Sequence, residues 1–148
     1  MREILYKAKV KDWEDKQKEK WWVYGYYVCG IDMCNKPVHI IFEPTSGFYS
    51  HGETDGWEEI DADTLCQFTG FLDKNGNKIW ENDIIKKVDS NAFGYHRERI
   101  CEVLFDDLGY WKVMTTLGDG YWFGELNLRD IQFEVIGNNF DNPELLEV

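Results

Sequence analysis

No apolar run in the sequence approaches the roughly 20 residues that a membrane-crossing helix requires. The opening "MREILYKAKVKDWEDKQ" alternates and is densely charged, unlike a signal peptide. Glycine patterns that cradle phosphate are missing, both G-x-x-x-x-G-K and a G-x-G-x-x-G that leads into a helix. The nucleophile elbow G-x-S-x-G does not occur. His39, His51 and His96 are accompanied by no His-x-x-x-His or His-Glu pattern, which leaves a metal or catalytic reading of them thin. No internal repeat, low-complexity tract or long amphipathic helix is visible. The sequence reads as a soluble cytoplasmic chain without a cofactor.

Positive charge is also scarce. Sixteen Lys and Arg face twenty-eight Asp and Glu, a net charge of −12. Residues 1–20 hold seven bases against five acids, so the other 128 residues hold nine against twenty-three. Such a body repels phosphate backbones, and direct nucleic-acid binding is not expected. The surplus serves solubility in the plain reading. A sharper reading is mimicry of the charge of a nucleic acid.

Four cysteines, Cys29, Cys34, Cys66 and Cys101, could supply a four-thiolate zinc site, but such sites take ligands in close pairs and only Cys29 and Cys34 are near one another. They are expected to be free thiols, mostly buried as small apolar groups.

What is abundant is aromatic and β-forming residues. Hydrophobic residues make up 43% of the 148 positions and aromatics 16%, enough for a packed core in one domain or two small subdomains. "EILYKAKV" alternates, with Ile4, Tyr6, Ala8 and Val10 on one side and Leu5, Lys7 and Lys9 on the other. "WWVYGYYVC" and "VHIIF" read as two further strands around a turn at Asn35–Pro37, giving an antiparallel meander over residues 1–60. A long exposed loop is expected over Glu43–Gly56.

Residues 61–148 read as a second subdomain. Strands are expected at Ile84–Val88, "RICEVLF", "YWKVMT", "YWFG" and "QFEVIG", with a loop at Asp89–Glu98 that holds His96. Asp119-Gly120 is expected to close one hairpin, and "ELNLRD" to form a helical turn before the last strand. That order of strands is the order of an SH3-like barrel. Asn142 and Pro143 predict a short C-terminal helix.

"DKNGNK" spaces Asp73, Asn75 and Asn77 as a calcium loop does. Counted from Asp73, however, the sixth residue is Lys78 and the twelfth Ile84, where an EF-hand needs Gly and Glu. The segment is expected to be a two-residue Asn75-Gly76 hairpin turn. Glu81 and Asp83, one residue apart, would share a strand face and suit acid/base chemistry, but no nucleophile accompanies them. Solvated charges, or a carboxylate bound to turn amides, is the favoured role.

Trp21, Trp22, Tyr24, Tyr26 and Tyr27 crowd into seven residues. Core packing and a subunit interface account for them equally well; they are the candidate interface residues.

"TLCQFTGFLDKNGNKIWENDII" resembles the central signature of the YopX-like proteins of bacterial phages and prophages. Thr64, Gln67, Thr69, Gly70, Asp73 to Gly76, Ile79, Glu81, Asp83 and Ile84 match it, while Cys66, Phe68, Phe71, Trp80 and Asn82 depart from it. "EVIGNNFDNPELL" is similar to the family's ending, and "REI" with "WVYGYYV" to its opening. The resemblance implies a mostly β protein with an SH3-like barrel in its C-terminal part, and it carries over no catalytic residue. Asn82 stands where the signature has glycine, and asparagine tolerates a left-handed backbone. The expectation is a phage-derived, non-enzymatic binding or assembly module of a bacterial cytoplasm that self-associates or meets an unknown host or phage protein. An acidic mimic of nucleic-acid charge is the alternative, and an enzyme the least favoured.

Overall fold

A computed structural model of the protein describes residues 2–43, 56–90, 93–123 and 131–147. The loop expected over Glu43–Gly56, with His51, lies almost wholly outside the described residues, as does the helical turn expected at "ELNLRD". The chain divides into two compact units, Met1–Phe68 and Thr69–Val148.

In the first unit the alternating and aromatic stretches become β1 (Tyr6–Lys9), β2 (Trp22–Ile31), β3 (Pro37–Phe42) and β4 (Trp57–Glu59), joined by the start of β5 (Cys66–Leu72). They form an antiparallel sheet in the order β4-β3-β2-β1-β5. One face buries Ala8, Val10, Val23, Ile41 and Ile60, with Tyr6, Trp13, Tyr27 and Leu65 packed against them. Gly25 sits where a Cβ would lie 1.8 Å from the Phe42 carbonyl oxygen, so only glycine lets β2 and β3 close there.

The second unit carries the rest of β5 with β6 (Lys78–Trp80), then β7 (Asp83–Ser90), β8 (His96–Phe105), β9 (Trp111–Thr115), β10 (Gly120–Trp122) and β11 (Ile131–Asn138). The last five form an antiparallel sheet in the order β10-β9-β8-β7-β11. Ile79, Ile85, Cys101, Val103, Val113, Phe123 and Phe133 make its core. Among the described residues no pairing joins β10 to β11, so the sheet is not closed into the expected barrel. The expected C-terminal helix is a single 3-10 turn, Pro143–Leu146. The Asn142 side chain faces back to the Asn138 amide at 3.4 Å rather than capping that turn.

Four hairpins share one device. In each, a five-residue connection pairs its first and last backbones around a three-residue loop whose third residue is left-handed. Asp32–Lys36, Asp73–Asn77, Asp106–Tyr110 and Thr115–Asp119 are the four, with Asn35, Gly76, Gly109 and Gly118 at the left-handed position. Each first residue turns its side-chain oxygen onto loop amides: Asp32 onto Cys34 and Lys36, Asp73 onto Asn75 and Asn77, Asp106 onto Leu108, Thr115 onto Asp119. The expected two-residue turn at Asn75-Gly76 is therefore a three-residue loop, because Asp73 claims the amide that a tighter turn would leave unpaired. Likewise the left-handed residue of the β9–β10 hairpin is Gly118, not Asp119 or Gly120.

Candidate functional site

The β2–β3 register follows from the Asp32–Lys36 loop: Tyr26 faces Phe42, Val28 faces Ile40 and Gly30 faces Val38. Directly opposed residues share a sheet face. Continuing outward, Phe42 pairs with Trp57. Trp22, Tyr24, Tyr26 and Val28 of β2 thus line up with Val38, Ile40 and Phe42 of β3 and Trp57 of β4 on the face opposite the unit's core. Tyr24 and Tyr26 are about half exposed, at 48% and 50%, and Val28 and Trp57 nearly as much. Along β2 and β3 this face is aromatic and aliphatic and partly open to solvent, and on β4 it also carries Glu59, which opposes Ile40 and pairs with Lys11.

The five candidate interface residues do not act together. Trp22, Tyr24 and Tyr26 belong to this face. Tyr27 points to the other side, where its hydroxyl meets His39 Nδ1 at 2.6 Å and its ring packs on Tyr6. Burial, with Cys29 and Tyr6 beside it, raises the Tyr27 phenol above its ordinary value. Trp21 lies at the strand entrance, edge-on to Trp13, with its indole nitrogen donating to the Lys16 carbonyl. Val28, Val38, Ile40, Phe42 and Trp57 escaped the sequence reading, though the D-x-x-N loop at Asp32–Asn35 held the register that places most of them.

Lys9 is the unexpected neighbour of this face. Alternation assigned it to the polar side of β1, yet it is only 1% exposed. Its ammonium lies 3.6 Å from the Trp13 ring centroid, 4.3 Å from Trp21 and 5.6 Å from Trp22, a cage of three indoles around one cation. Its backbone is held as well: the amide donates to Thr64 Oγ1 at 2.8 Å and the carbonyl accepts from Asp61.

Between the N-terminal residues and β2 an open groove of about 620 Å³ is lined by Arg2, Glu3, Ile4, Tyr6, Tyr26 and Tyr27. It forms because β1 pairs with β2 only from Trp22 to Gly25. Beyond Gly25, β2 continues to Ile31 paired with β3 alone among the described residues.

The candidate acid cluster takes a different form. Asp73 is buried and accepts from the amides of Asn75, Asn77 and Val135 and from the Asn77 side chain. Burial alone would raise its carboxyl, but these four donors outweigh it and hold the group below the ordinary carboxylate range. Glu81 and Asp83 do not share a strand face. Asn82 between them is left-handed at φ 65°, so Glu81 belongs to the turn. Asp83 opens β7, buried, and accepts from the Trp80 amide at 2.8 Å. His96 is the first residue of β8 rather than a loop residue, 3.5 Å from Glu98.

Of the four free thiols only Cys66 and Cys101 are buried; Cys29 and Cys34 are exposed, on the outer half of the β2–β3 hairpin. Burial pushes the Cys101 thiol up to about 11, although Lys87 nearby acts the other way. Lys87 is itself buried, bonded to Asp89 Oδ2 at 2.8 Å.

The YopX protein family matches this chain over residues 13–147. The chain belongs to the YopX family. Protein EF1440 of Enterococcus faecalis is 24% identical, with a TM-score of 0.51, and 99% of this chain covers 100% of that one. The yopX protein of Bacillus subtilis is 19% identical, with a TM-score of 0.54 and the same coverage. Both likenesses concern the fold. No curated protein matches the chain.

The signature residues can now be read physically. The Thr64 hydroxyl ties the Lys9 amide to the Asp61 carbonyl. Thr69 donates to the Ile79 carbonyl and accepts from the Phe71 amide across left-handed Gly70. Asp73, Gly76 and Asp83 organise the two turns that follow. These side chains address backbone groups, and they set the course of the chain from β5 through β7.

Proposed function

We propose that this chain is a non-enzymatic binding or assembly module that associates with copies of itself through the aromatic face of β2, β3 and β4. One observation carries the reading: Tyr24, Tyr26, Val28 and Trp57 stand exposed together on one sheet face. Trp and Tyr are favoured anchors of protein interfaces, and a contiguous open apolar face marks an interaction site. Charge points the same way. Trp21 to Ile31 holds no ionisable acid or base of the Asp, Glu, Lys or Arg kinds in a chain of net charge −12, so like-charged copies meet here with least repulsion. The non-enzymatic part is supported by Asp73 and Asp83, whose carboxylates are engaged by backbone amides. The strand order β11-β7-β8-β9-β10 supports an SH3-like reading of the second unit, and the bacterial cytoplasm is the proposed setting.

Sedimentation equilibrium across the micromolar range tests this. The expected result is a mass at a multiple of 17.5 kDa that falls to a single chain in a Tyr24→Asp, Val28→Asp variant with unchanged circular dichroism. A wild-type chain that stays monomeric throughout refutes it.

The acidic surplus beyond residue 20 favours a second reading, mimicry of nucleic-acid charge toward a host protein. Binding to a purified DNA-binding protein that weakens steeply with salt would support it, and indifference to such proteins at low salt would remove it.

A further inference from the structure

Cys29, Tyr27 and His39 form a cluster on the side of the β2–β3 hairpin away from the aromatic face. Cys29 of β2 and His39 of β3 are directly opposed, so their side chains leave the same sheet face with Cβ atoms about 5 Å apart. Tyr27, two residues before Cys29, projects from that face as well. Its hydroxyl lies 2.6 Å from His39 Nδ1, and the two rings are nearly parallel, at 5°, with centroids 5.9 Å apart. The Cys29 thiol is exposed and close enough to the Tyr27 hydroxyl to share a hydrogen bond with it. A soft nucleophile, a hydroxyl and a base are thus linked at the solvent boundary.

We infer that Cys29 is a modification site, a thiol that exchanges with low-molecular-weight disulfides while His39 takes its proton through Tyr27.

The cluster accounts for every proton. With its own proton on Nε2, neutral His39 accepts from Tyr27 at Nδ1. The Tyr27 proton passes to Nδ1 and the thiol proton replaces it on the phenol oxygen, which leaves a thiolate, a phenol and an imidazolium. The thiolate attacks one sulfur of the small disulfide. A new S–S bond forms at Cys29 and the S–S bond of the reagent breaks. The departing thiolate takes the proton held at His39 and leaves as a free thiol. Cys29 is oxidised to a mixed disulfide, the reagent disulfide is reduced, and no other oxidant is needed. Tyr27 suits the middle position. Burial, and next the Cys29 thiol, raise its phenol above the ordinary value, so at neutral pH it remains a hydroxyl able to donate to a thiolate.

Access and contrast support the assignment. The groove lined by Ile4, Tyr6 and Tyr26 borders the Tyr27 ring, so a small molecule reaches the cluster from solvent. Cys66 and Cys101 are buried away from any such reagent. Cys34 is exposed like Cys29, but it sits in the Asp32–Lys36 loop, its amide on Asp32 Oδ1, with no residue of a neighbouring strand opposed to it. It shares the exposure of Cys29 and lacks the base. The exchange is stoichiometric and reversible, a switch compatible with a non-enzymatic chain and independent of whether copies associate.

Incubation of the full chain with oxidised glutathione at neutral pH, quenched by acid and followed by peptide mass spectrometry, measures both exposed thiols in one sample. Cys29 is expected to gain the adduct about tenfold faster than Cys34, or more, and a thiol reductant to remove it. His39→Gln and Tyr27→Phe are each expected to slow Cys29 to the rate of Cys34. A purely structural role of the Tyr27–His39 pair predicts the opposite, because a loosened hairpin uncovers Cys29 further and speeds its reaction. Circular dichroism establishes that each variant folds; His39→Asn replaces a His39→Gln chain that does not, and the wild-type ratio tests the site without any variant. A smaller ratio in the wild type, an adduct that a reductant leaves in place, or a Cys29 rate that either folded variant leaves unchanged or raises, overturns the assignment.

Discussion

The Asp73 carboxylate accepts a hydrogen bond from the Val135 amide at 3.1 Å, across a sequence separation of 62 residues. The same loop gives its Lys74 amide to the Phe133 carbonyl at 2.8 Å, and Lys74 Nζ lies 3.0 Å from Glu134. A short hairpin whose residues look like cation ligands is thus a clamp that fastens the β5–β6 loop to β11. Its oxygens are occupied by protein donors.

Replacing Asp73 should therefore cost stability. Asp73→Ala takes away the acceptor that the part-buried amide bonds of Asn75, Asn77 and Val135 share, a loss of about 2–3 kcal/mol at neutral pH. Asp73→Asn keeps the shape and should cost less. Chemical denaturation with a shared m-value measures both; an Asp73→Ala variant as stable as wild type would contradict the clamp.

The clamp has a pH signature. The folded carboxyl lies below its unfolded value of about 3.9, so its contribution is complete above that pH. It is lost as pH falls through the lower, folded value. Asp106, hydrogen-bonded by Lys112, and Glu134, hydrogen-bonded by Lys74, are also held low and act in the same window. Asp73→Asn should flatten the acid limb of the stability profile without removing it. An identical slope in variant and wild type below the ordinary carboxylate range would show that Asp73 is not the group responsible.

Gly25→Ala should be among the most damaging single changes in the first unit. Its methyl would lie 1.8 Å from the Phe42 carbonyl oxygen, and backbone cannot yield cheaply. The expected loss is at least about 3 kcal/mol, with disturbed tryptophan fluorescence. A fully folded variant with wild-type Tm would mean that β2 and β3 separate there without penalty.

Asn82 offers the reverse experiment. With φ at 65° it holds the left-handed conformation in which glycine carries no steric cost. Asn82→Gly should be tolerated, whereas Asn82→Val should cost about 1–2 kcal/mol. Equal Tm values for the two variants would contradict the left-handed turn.

Thiol chemistry gives a direct reading of burial. Cys66 and Cys101 should resist alkylation in the native protein at mildly alkaline pH and react once it is unfolded, Cys101 the more so because its thiol is pushed up to about 11. Peptide mass spectrometry identifies the sites. Rapid native labelling at Cys101 would place it outside the core.

By itself the sequence determined the material of the fold. Period-two alternation, β-branched and aromatic runs and Asp-to-Gly loops are local properties, legible wherever side-chain pattern and turn chemistry coincide, as in "EILYKAKV", "WWVYGYYVC" and "DKNGNK". Tertiary structure decided which side of each strand met another layer. Alternation placed Lys9 on the polar side of β1, yet three indoles contributed from beyond the strand bury that side. The same dependence separated Tyr27, covered by Tyr6 and His39, from Tyr24 and Tyr26, left open to solvent. Glu81 and Asp83 lost their shared face to one left-handed residue. Local pattern sets which residues can share a face, because that depends only on neighbouring backbone angles. Which face is covered depends on atoms far away in sequence, and no local pattern records them.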